Sequence, residues 1–305
     1  MQPNAAIETH KLCKTYRGFT AVRELDLTVP FGTVFGFLGP NGAGKTTTIM
    51  MLLGNVRPTY GHGSILGRPL GDKNARKRIG FLPEKFQFHE FLTATEFLHL
   101  HGKLSGMNSA ERERRVPYVL ERVGLADRAH SKLREFSKGM QQRIGLAQAI
   151  LHDPELVILD EPTSALDPIG RRDVRDIVAE LKAQGKTVLL NSHLLSEIEM
   201  ICDRVAIIKK GEVAIQGTID ELLGTTQTVE IEVRNMNDAA LAAVRGIAAK
   251  LRMERIPLSK FTAWVHTEDD IPALARAIVS NGVDLLSLTP RRETLEDVFV
   301  RVIKE

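Results

Sequence analysis

One short segment constrains this chain more than any other: residues 39–46, which read GPNGAGKT. The segment fits the pattern G-x-x-x-x-G-K-[ST] and stands between an apolar run typical of a buried strand, GTVFGFLG, and a run typical of a helix, TTTIMMLL. Glycines let consecutive backbone N–H groups turn inward around an anion, because no Cβ lies in the way. The following helix directs the positive end of its dipole at the same point. The segment therefore predicts an α/β fold with a loop that binds phosphate groups.

Each residue of this phosphate loop has an expected role. Lys45 is expected to contact the β- and γ-phosphates of a nucleoside triphosphate, and the Thr46 hydroxyl to ligate Mg²⁺. The other residues expected to line the phosphates are Gly39, Pro40, Asn41, Gly42, Ala43, Gly44 and Thr47. By itself the loop indicates only a nucleotide-binding protein of the P-loop class.

Two carboxylates follow a second apolar run, LVILDEP, at residues 156–162. Asp160 ends a predicted buried strand, and open α/β sheets bind ligands at the carboxyl ends of their strands. Asp160 is therefore expected to lie near the phosphate loop and to hold Mg²⁺ through water. Glu161 is the candidate that polarises the water attacking the terminal phosphate. The structural alternative is a strand end whose two acids are simply solvated.

The composition limits the classes of protein to which this chain can belong. The chain has 305 residues, 43% of them hydrophobic, so it can bury a core and is long enough for two domains. A formal net charge of +3 is too small to indicate nucleic acid, and none is expected as a partner. Cys13 and Cys202 lack metal-ligand spacing, which favours a reducing cytosol. We expect no signal peptide, and no apolar run approaches the ~20 residues that cross a bilayer.

The order of predicted elements divides the chain in two. Residues 1–222 begin with short strands, contain a helical stretch at about 86–152, and then resume the alternation of strand and helix. A polar linker is predicted at 223–228. Residues 229–305 read as a small α+β domain with the order βαβαβα, in which the first helix covers Asp238 to Leu251.

The segment FSKGMQQR, at residues 136–143, resembles the signature of ATP-binding cassette (ABC) proteins, usually written LSGGQ and followed by QQR. Physically it is a second anion site, because the Ser137 hydroxyl and the N–H groups near Gly139 stand at the start of a predicted helix. In ABC proteins this site holds the γ-phosphate of an ATP bound to the phosphate loop of a second cassette. The resemblance therefore implies two ATP molecules held between cassettes in a head-to-tail dimer.

Further landmarks stand in the order found in ABC proteins. Tyr16 resembles the aromatic residue that stacks on adenine, and Glu84 falls at the position of the Q-loop glutamine. The segment SALD, which ends at Asp167, resembles the D-loop that crosses the dimer interface. His193 resembles the switch histidine that contacts the γ-phosphate. Taken singly, Tyr16 could be a packing residue and His193 a structural one; the resemblance depends on their order and spacing over residues 6 to about 222.

The chain departs from the family pattern in the signature and in the Q-loop. Lys138 replaces the second glycine of the signature and adds positive charge, and Met140 replaces its glutamine. Because Ser137 is retained, phosphate binding is still expected. Glu84 can ligate Mg²⁺ and accept hydrogen bonds, but its carboxylate repels the γ-phosphate when no metal is bound. Gln87 nearby is a candidate substitute.

The resemblance implies a P-loop NTPase fold with a RecA-like core, an antiparallel β subdomain and a helical insert, followed by the small C-terminal domain. It also implies an ATPase that uses ATP with Mg²⁺. The residues implied to be catalytic are Glu161, His193 and Lys45, and those implied to hold Mg²⁺ are Thr46, Glu84 and Asp160. A single phosphate loop and signature argue against the tandem cassettes of ribosome-associated ABC ATPases. The compact helical insert argues against the coiled coils of DNA-repair relatives.

The implied partners are a transmembrane permease subunit and a second copy of the cassette, at the cytoplasmic face of the inner membrane. The apolar segment FQFHEFL, residues 86–92, suits contact with the permease, and helical core is the alternative. The chain ends in TPRRETLEDVFVRVIKE, which is similar to bacterial exporter-type cassettes for drugs, lipids and polysaccharides. The C-terminal domain could aid dimerisation, regulate, or act as a passive cap. Two rival functions stay open: a non-transport ABC ATPase acting on a macromolecular complex, and a nucleotide-binding regulator without catalysis.

Overall fold

The computed structural model describes residues 5–85, 88–223, 227–253, 260–265, 267 and 269–304. The chain forms two compact units, one holding the residues up to Thr218 and those from Val302 on, the other running from Ile219 to Arg301. Within the described ranges, no helix combines the length and the apolar composition that a bilayer span requires.

The first unit contains strands and helices in alternation. Its strands are β1 (Ala5–Tyr16), β2 (Phe19–Leu25), β3 (Thr28–Pro30), β4 (Val34–Leu38), β5 (Tyr60–Ile65), β6 (Arg68–Pro69), β7 (Ile79–Leu82), β8 (Leu156–Asp160), β9 (Thr187–Asn191), β10 (Arg204–Lys209) and β11 (Glu212–Thr218). Its helices are α1 (Lys45–Leu52), α2 (Lys73–Arg76), α3 (Ala94–Leu104), α4 (Ser109–Arg122), α5 (Lys138–Ile150), α6 (Pro168–Ala183) and α7 (Leu195–Ile201). Two short 3₁₀ turns, Ala126–Arg128 and Leu133–Glu135, lie between α4 and α5.

The strands of the first unit form two sheets. One is antiparallel, with the order β2-β1-β5-β6 and with β3 also paired to β1. The other has the order β11-β10-β4-β9-β8-β7 and is parallel except for the β10–β11 hairpin. Its central strands β4, β8 and β9 are buried along their whole length, as strands covered on both faces must be. Phe35 and Phe37 of β4 pack into one core with residues of both sheets.

The helices between β7 and β8 form the predicted insert. Thr93 and Asn108 close capping boxes at the starts of α3 and α4, and Ser137 caps α5. Asp167 caps α6, whose first residue is Pro168, as the sequence predicts. These caps fix where each helix begins, and so fix the direction in which its first turn points.

The second unit contains α8 (Ile219–Leu223), β12 (Gln227–Arg234), α9 (Asp238–Ile247), β13 (Lys250–Met253), β14 (Lys260–Val265), α10 (Asp270–Ser280) and β15 (Asp284–Arg292), and most of α11 (Leu295–Lys304). Its strands form an antiparallel sheet with the order β13-β14-β12-β15. The order βαββαβ with this sheet is the ferredoxin-like arrangement. Helices α9 and α10 cover one face, where Val229, Ile231 and Phe261 are buried.

One detail of the predicted C-terminal region is wrong. The helix predicted to continue to Leu251 ends at Ile247, and Leu251 lies in β13, so the order βαβαβα becomes βαββαβα. The predicted linker at 223–228 lies partly outside the described residues, and Thr228 already belongs to β12, opposite Trp264.

Candidate functional site

The parallel sheet brings the predicted site residues to one edge. The phosphate loop follows β4, His193 follows β9, and Asp160 and Glu161 stand at the end of β8. Glu84 follows β7. Because these strands are parallel neighbours in the order β4-β9-β8-β7, their carboxyl ends share an edge. Residues far apart in the sequence thereby surround one place.

The phosphate loop is pressed against its neighbours. Gly44 has a φ of 104°, in the left-handed region, and a Cβ there would lie 2.5 Å from the Ala21 carbonyl oxygen. A Cβ on Gly39 would lie 2.6 Å from the Ile208 carbonyl oxygen. The Ala43 carbonyl accepts a hydrogen bond from the N–H of Gly211 at 3.0 Å. Packing against β2 and the β10–β11 turn therefore holds the loop in its curved shape.

Lys45 lies inside this loop. Its Nζ donates to the carbonyl oxygens of Gly39, at 2.6 Å, and Pro40, at 3.2 Å. Burial lowers the pKa of the ammonium, while the carboxylates of Glu161 and Asp160 oppose that shift. The lysine is thus a partly desolvated cation among acids. Thr46 is exposed in the first turn of α1, and Thr47 beside it is half-buried.

Asp160 is a buried acid with an amide partner. Its side chain is only 2% exposed, and its Oδ1 accepts from Nδ2 of Asn191. Burial raises the pKa of Asp160, and the nearby charge of Glu84 raises it further. The side chains of Asp160, Thr46 and Glu84 offer oxygen atoms at this edge, from two carboxylates and one hydroxyl. Oxygen is the ligand that Mg²⁺ prefers. The residues present therefore fit that ion.

Glu161 has an unusual backbone. Its φ is 55°, in the left-handed region that non-glycine residues seldom occupy. Its N–H donates to the Asn191 carbonyl at 2.9 Å. Its own carbonyl accepts from Nε2 of Gln142 and from Oγ of Ser164, each at 3.1 Å. These bonds secure a conformation that costs free energy by itself.

The Glu161 carboxylate faces the imidazole of His193. Nδ1 of His193 lies 2.6 Å from Oε2 of Glu161. Burial raises the pKa of Glu161, and the neighbouring His193 partly offsets that increase. The histidine side chain is 65% exposed, so it can turn toward a ligand as well as toward the carboxylate.

Asn191 and Gln142 are absent from the residues predicted from the sequence. Asn191 contacts both acids, one through its side chain and one through its backbone, and its Oδ1 is buried without a partner among the described residues. Its position at the end of a buried strand is a signal that could have identified it, as it did for Asp160. Gln142 is inside a helix and carries no such signal.

The signature segment begins α5. The Ser137 hydroxyl accepts from the N–H of Met140 at 3.3 Å, and both Ser137 and Lys138 are exposed. A Cβ on Gly139 would meet Leu166 at 3.5 Å, an ordinary contact. Across the described part of the chain, no hydrogen bond or ion pair joins this helix start to the phosphate loop. The first turn of α5 is therefore an exposed helix N-terminus that carries one positive side chain, Lys138.

Most of the remaining predicted site residues lie at the surface of the first unit. Tyr16 ends β1, is 45% exposed, and has the Lys14 ammonium 5.1 Å from its ring centre. Glu84 is exposed after β7. The Asp167 carboxylate accepts from the Gly170 N–H at 2.7 Å, as a helix cap. Asn41 and Gly42 are exposed on the loop. Gln87 and the start of the segment 86–92 lie outside the described residues.

Fold and site together define a P-loop nucleotide-binding protein with a helical insert. A protein-family model described as ABC transporter matches residues 22–164. An uncharacterised ABC transporter ATP-binding protein of Synechocystis sp. is 42% identical, over 98% of this chain and 85% of that protein. The linearmycin resistance ATP-binding protein of Bacillus subtilis is 35% identical, over 97% of each. A dimeric ATP-binding cassette in a post-hydrolysis state with ADP and Pi is 26% identical, with a TM-score of 0.65 over 70% of this chain and 99% of that one.

The chain belongs to the ABC transporter ATP-binding proteins and is an ATPase of that family. The predicted resemblance, the fold class and the enzyme class are confirmed. The roles of individual site residues and the domain boundaries stay predictions.

Proposed function

We propose that this chain hydrolyses Mg-ATP between two copies arranged head to tail, and that hydrolysis drives export by a separate transmembrane subunit. One observation carries the proposal: Lys45 and the acids occupy one edge of the sheet, while Ser137 begins a helix with which the phosphate loop shares no hydrogen bond or ion pair among the described residues. Both are phosphate sites by their chemistry. A second copy supplies the missing half of each site.

Each residue then has a separate role. Lys45 and the loop N–H groups bind the β- and γ-phosphates, and Tyr16 stacks on the adenine. Glu161 polarises the attacking water, and His193 holds Glu161 or the γ-phosphate. Thr46, Asp160 and Glu84 would hold Mg²⁺, which neutralises phosphate charge when bound. Asp167 lies on the D-loop at the border between the two copies.

The partner and direction are supported by the relatives. The linearmycin resistance ATP-binding protein is named for drug resistance, which fits export. The related cassette solved as a dimer with ADP and Pi supports a paired site. We place the chain on the cytoplasmic face of the plasma membrane, with residues 1–222 as the cassette, 223–228 as the linker, and 229–305 as an accessory domain. ATP binding closes the dimer and hydrolysis reopens it, which switches the permease between two states.

The paired site is tested by mixing two inactive variants of the full chain. Lys45→Ala removes the loop cation, and Gly139→Asp puts a carboxylate at the α5 start, where the structure has room for a Cβ. In a mixed head-to-tail dimer, one site has both defects and the other has neither. Phosphate release should return to about a quarter of wild type, because half the dimers are mixed and each has one intact site. If the mixture stays as inactive as either variant, the paired site is rejected.

The second function, a non-transport ATPase acting on a macromolecular complex, predicts different companions. A tagged chain purified from detergent-solubilised membranes should bring with it an integral membrane protein of several spans. Recovery of ribosomes or DNA in its place would favour the alternative.

A further inference from the structure

Three consecutive side chains after the signature, Gln141 to Arg143, contact three different parts of the first unit. Gln141 donates to the Phe136 carbonyl at 3.3 Å, which closes the turn before α5. Arg143 donates to the Val123 carbonyl at the end of α4 and forms an ion pair with Asp173 of α6 at 2.9 Å. These two contacts secure the helix that Ser137 begins.

Gln142 makes the contact with the catalytic edge. Its Nε2 donates at 3.1 Å to the carbonyl oxygen of Glu161. That peptide group is also held by Ser164, whose Oγ lies 3.1 Å from the same oxygen, and the Glu161 N–H is held by the Asn191 carbonyl at 2.9 Å. Gln142 is therefore the link in this set that comes from the helix carrying Ser137.

The backbone at Glu161 explains why such a link matters. A φ of 55° is a minor state for glutamate, so the orientation of its carboxylate depends on the bonds that hold the peptide. Removing one donor leaves the carbonyl with fewer partners and lets the peptide relax toward commoner backbone states. A shift of the carboxylate by about 1 Å is enough to lower a rate by roughly 10²-fold.

We propose that Gln142 is a positioning residue for Glu161, which couples the helix at the Ser137 phosphate site to the orientation of the catalytic carboxylate. The inference rests on the role proposed for Glu161. It also gives the QQR segment a mechanical role. A phosphate bound at the start of α5 would thereby affect Glu161 through Gln142, which lies further along the same helix and holds the Glu161 carbonyl.

The test is Gln142→Met in the full chain, which keeps the length of the side chain, adds no charge and removes the donor. Gln148→Met is the matched control, since Gln148 lies on the same helix and makes no side-chain hydrogen bond within the described ranges. Gln142→Met should lower kcat about tenfold with KM for ATP unchanged, because the orientation of the Glu161 carboxylate matters in the transition state and not for binding ATP. Gln148→Met should retain both constants.

Two further variants distinguish positioning from loss of structure. Gln142→His keeps an N–H donor the same number of bonds from Cα and should restore most of kcat. In a Glu161→Gln background, Gln142→Met should have no further effect on single-turnover hydrolysis, because the group it positions is already gone. A kcat within twofold of wild type, or an equal loss in the Glu161→Gln background, overturns the proposal. Normal turnover of Glu161→Gln alone would reject the role of Glu161 itself, which is a separate result.

Discussion

Nδ1 of His193 lies 2.6 Å from Oε2 of Glu161, so the residues that follow two neighbouring parallel strands share one hydrogen bond. This contact ties His193 to Glu161, the candidate base. The histidine therefore influences both the orientation and the ionisation of Glu161.

That relationship predicts a pH effect. Glu161 must be ionised to accept a proton from water, and burial raises its pKa while His193 lowers it. Turnover should therefore fall as the pH drops through the raised pKa of Glu161. In His193→Ala the acidic limb of the kcat profile should move to higher pH, because the offsetting group is lost. A limb that stays in place would show that Glu161 does not set it.

Replacing Glu161 by Gln should separate binding from hydrolysis. The amide keeps the shape of the side chain but cannot accept a proton from the attacking water. We expect kcat to fall by about 10²–10⁴-fold, with ATP affinity retained and an ATP-dependent dimer that persists. Phosphate release and analytical ultracentrifugation with Mg-ATP measure the two effects. Turnover near wild type would remove Glu161 from the chemistry.

The ionised carboxylate of Asp160 is expected to destabilise the nucleotide-free protein at neutral pH. Since burial raises its folded pKa, the stabilisation from its protonated form is complete at low pH and is lost as the pH rises through that folded pKa. Asp160→Asn should therefore raise Tm at pH 7–8, by about 2–4 °C for each 1 kcal/mol gained, and change it less under acidic conditions. The same variant should lose Mg-dependent hydrolysis. A Tm that falls at pH 7 would contradict this sign.

Two loop glycines form a matched pair. Both have positive φ, but a Cβ at Gly44 would lie 2.5 Å from the Ala21 carbonyl oxygen, whereas Gly42 faces open space. Gly42→Ala should cost about 1–2 kcal/mol through its backbone conformation alone. Gly44→Ala should cost more and abolish nucleotide binding, because the backbone of the loop must move. Urea unfolding and fluorescent-nucleotide titration distinguish the two, and equal losses would contradict the steric argument.

Tyr16 should contribute to nucleotide affinity through its ring. We expect Tyr16→Ala to weaken ATP binding by about 1–2 kcal/mol and Tyr16→Phe to retain it, since stacking needs the aromatic face and not the hydroxyl. Tyr60→Ala is the control, because Tyr60 is exposed to a similar degree on the same sheet. Unchanged affinity in Tyr16→Ala would remove that ring from the site.

The sequence was most informative where a buried strand ends in a polar residue. The sequence alone places Asp160 near Lys45, because the carboxyl ends of parallel strands share one edge of the sheet and the apolar runs mark those ends clearly. Helix starts were also predictable, as the cap at Asp167 illustrates. Both signals are local, so a single sequence carries them.

Contacts between distant segments were not predictable in this way. The bond from Gln142 to the Glu161 carbonyl depends on how α5 packs, and nothing within one helical turn specifies it. Strand β13 likewise has no local signal, because its four residues follow an alanine-rich helix and form a strand only by pairing with β14. Pairing is a property of two segments, whereas periodicity describes one.

The ferredoxin-like unit also holds the chain's single tryptophan, Trp264 on β14, with the Lys250 ammonium 5.5 Å from its ring centre. Tryptophan fluorescence, excited at the long-wavelength edge of protein absorption, therefore comes from this unit alone. A cassette that binds nucleotide without disturbing β14 would leave the spectrum unchanged, and any shift would register that the accessory domain has responded. The protein thus carries its own optical reporter, on a unit separate from the one that holds the phosphate loop.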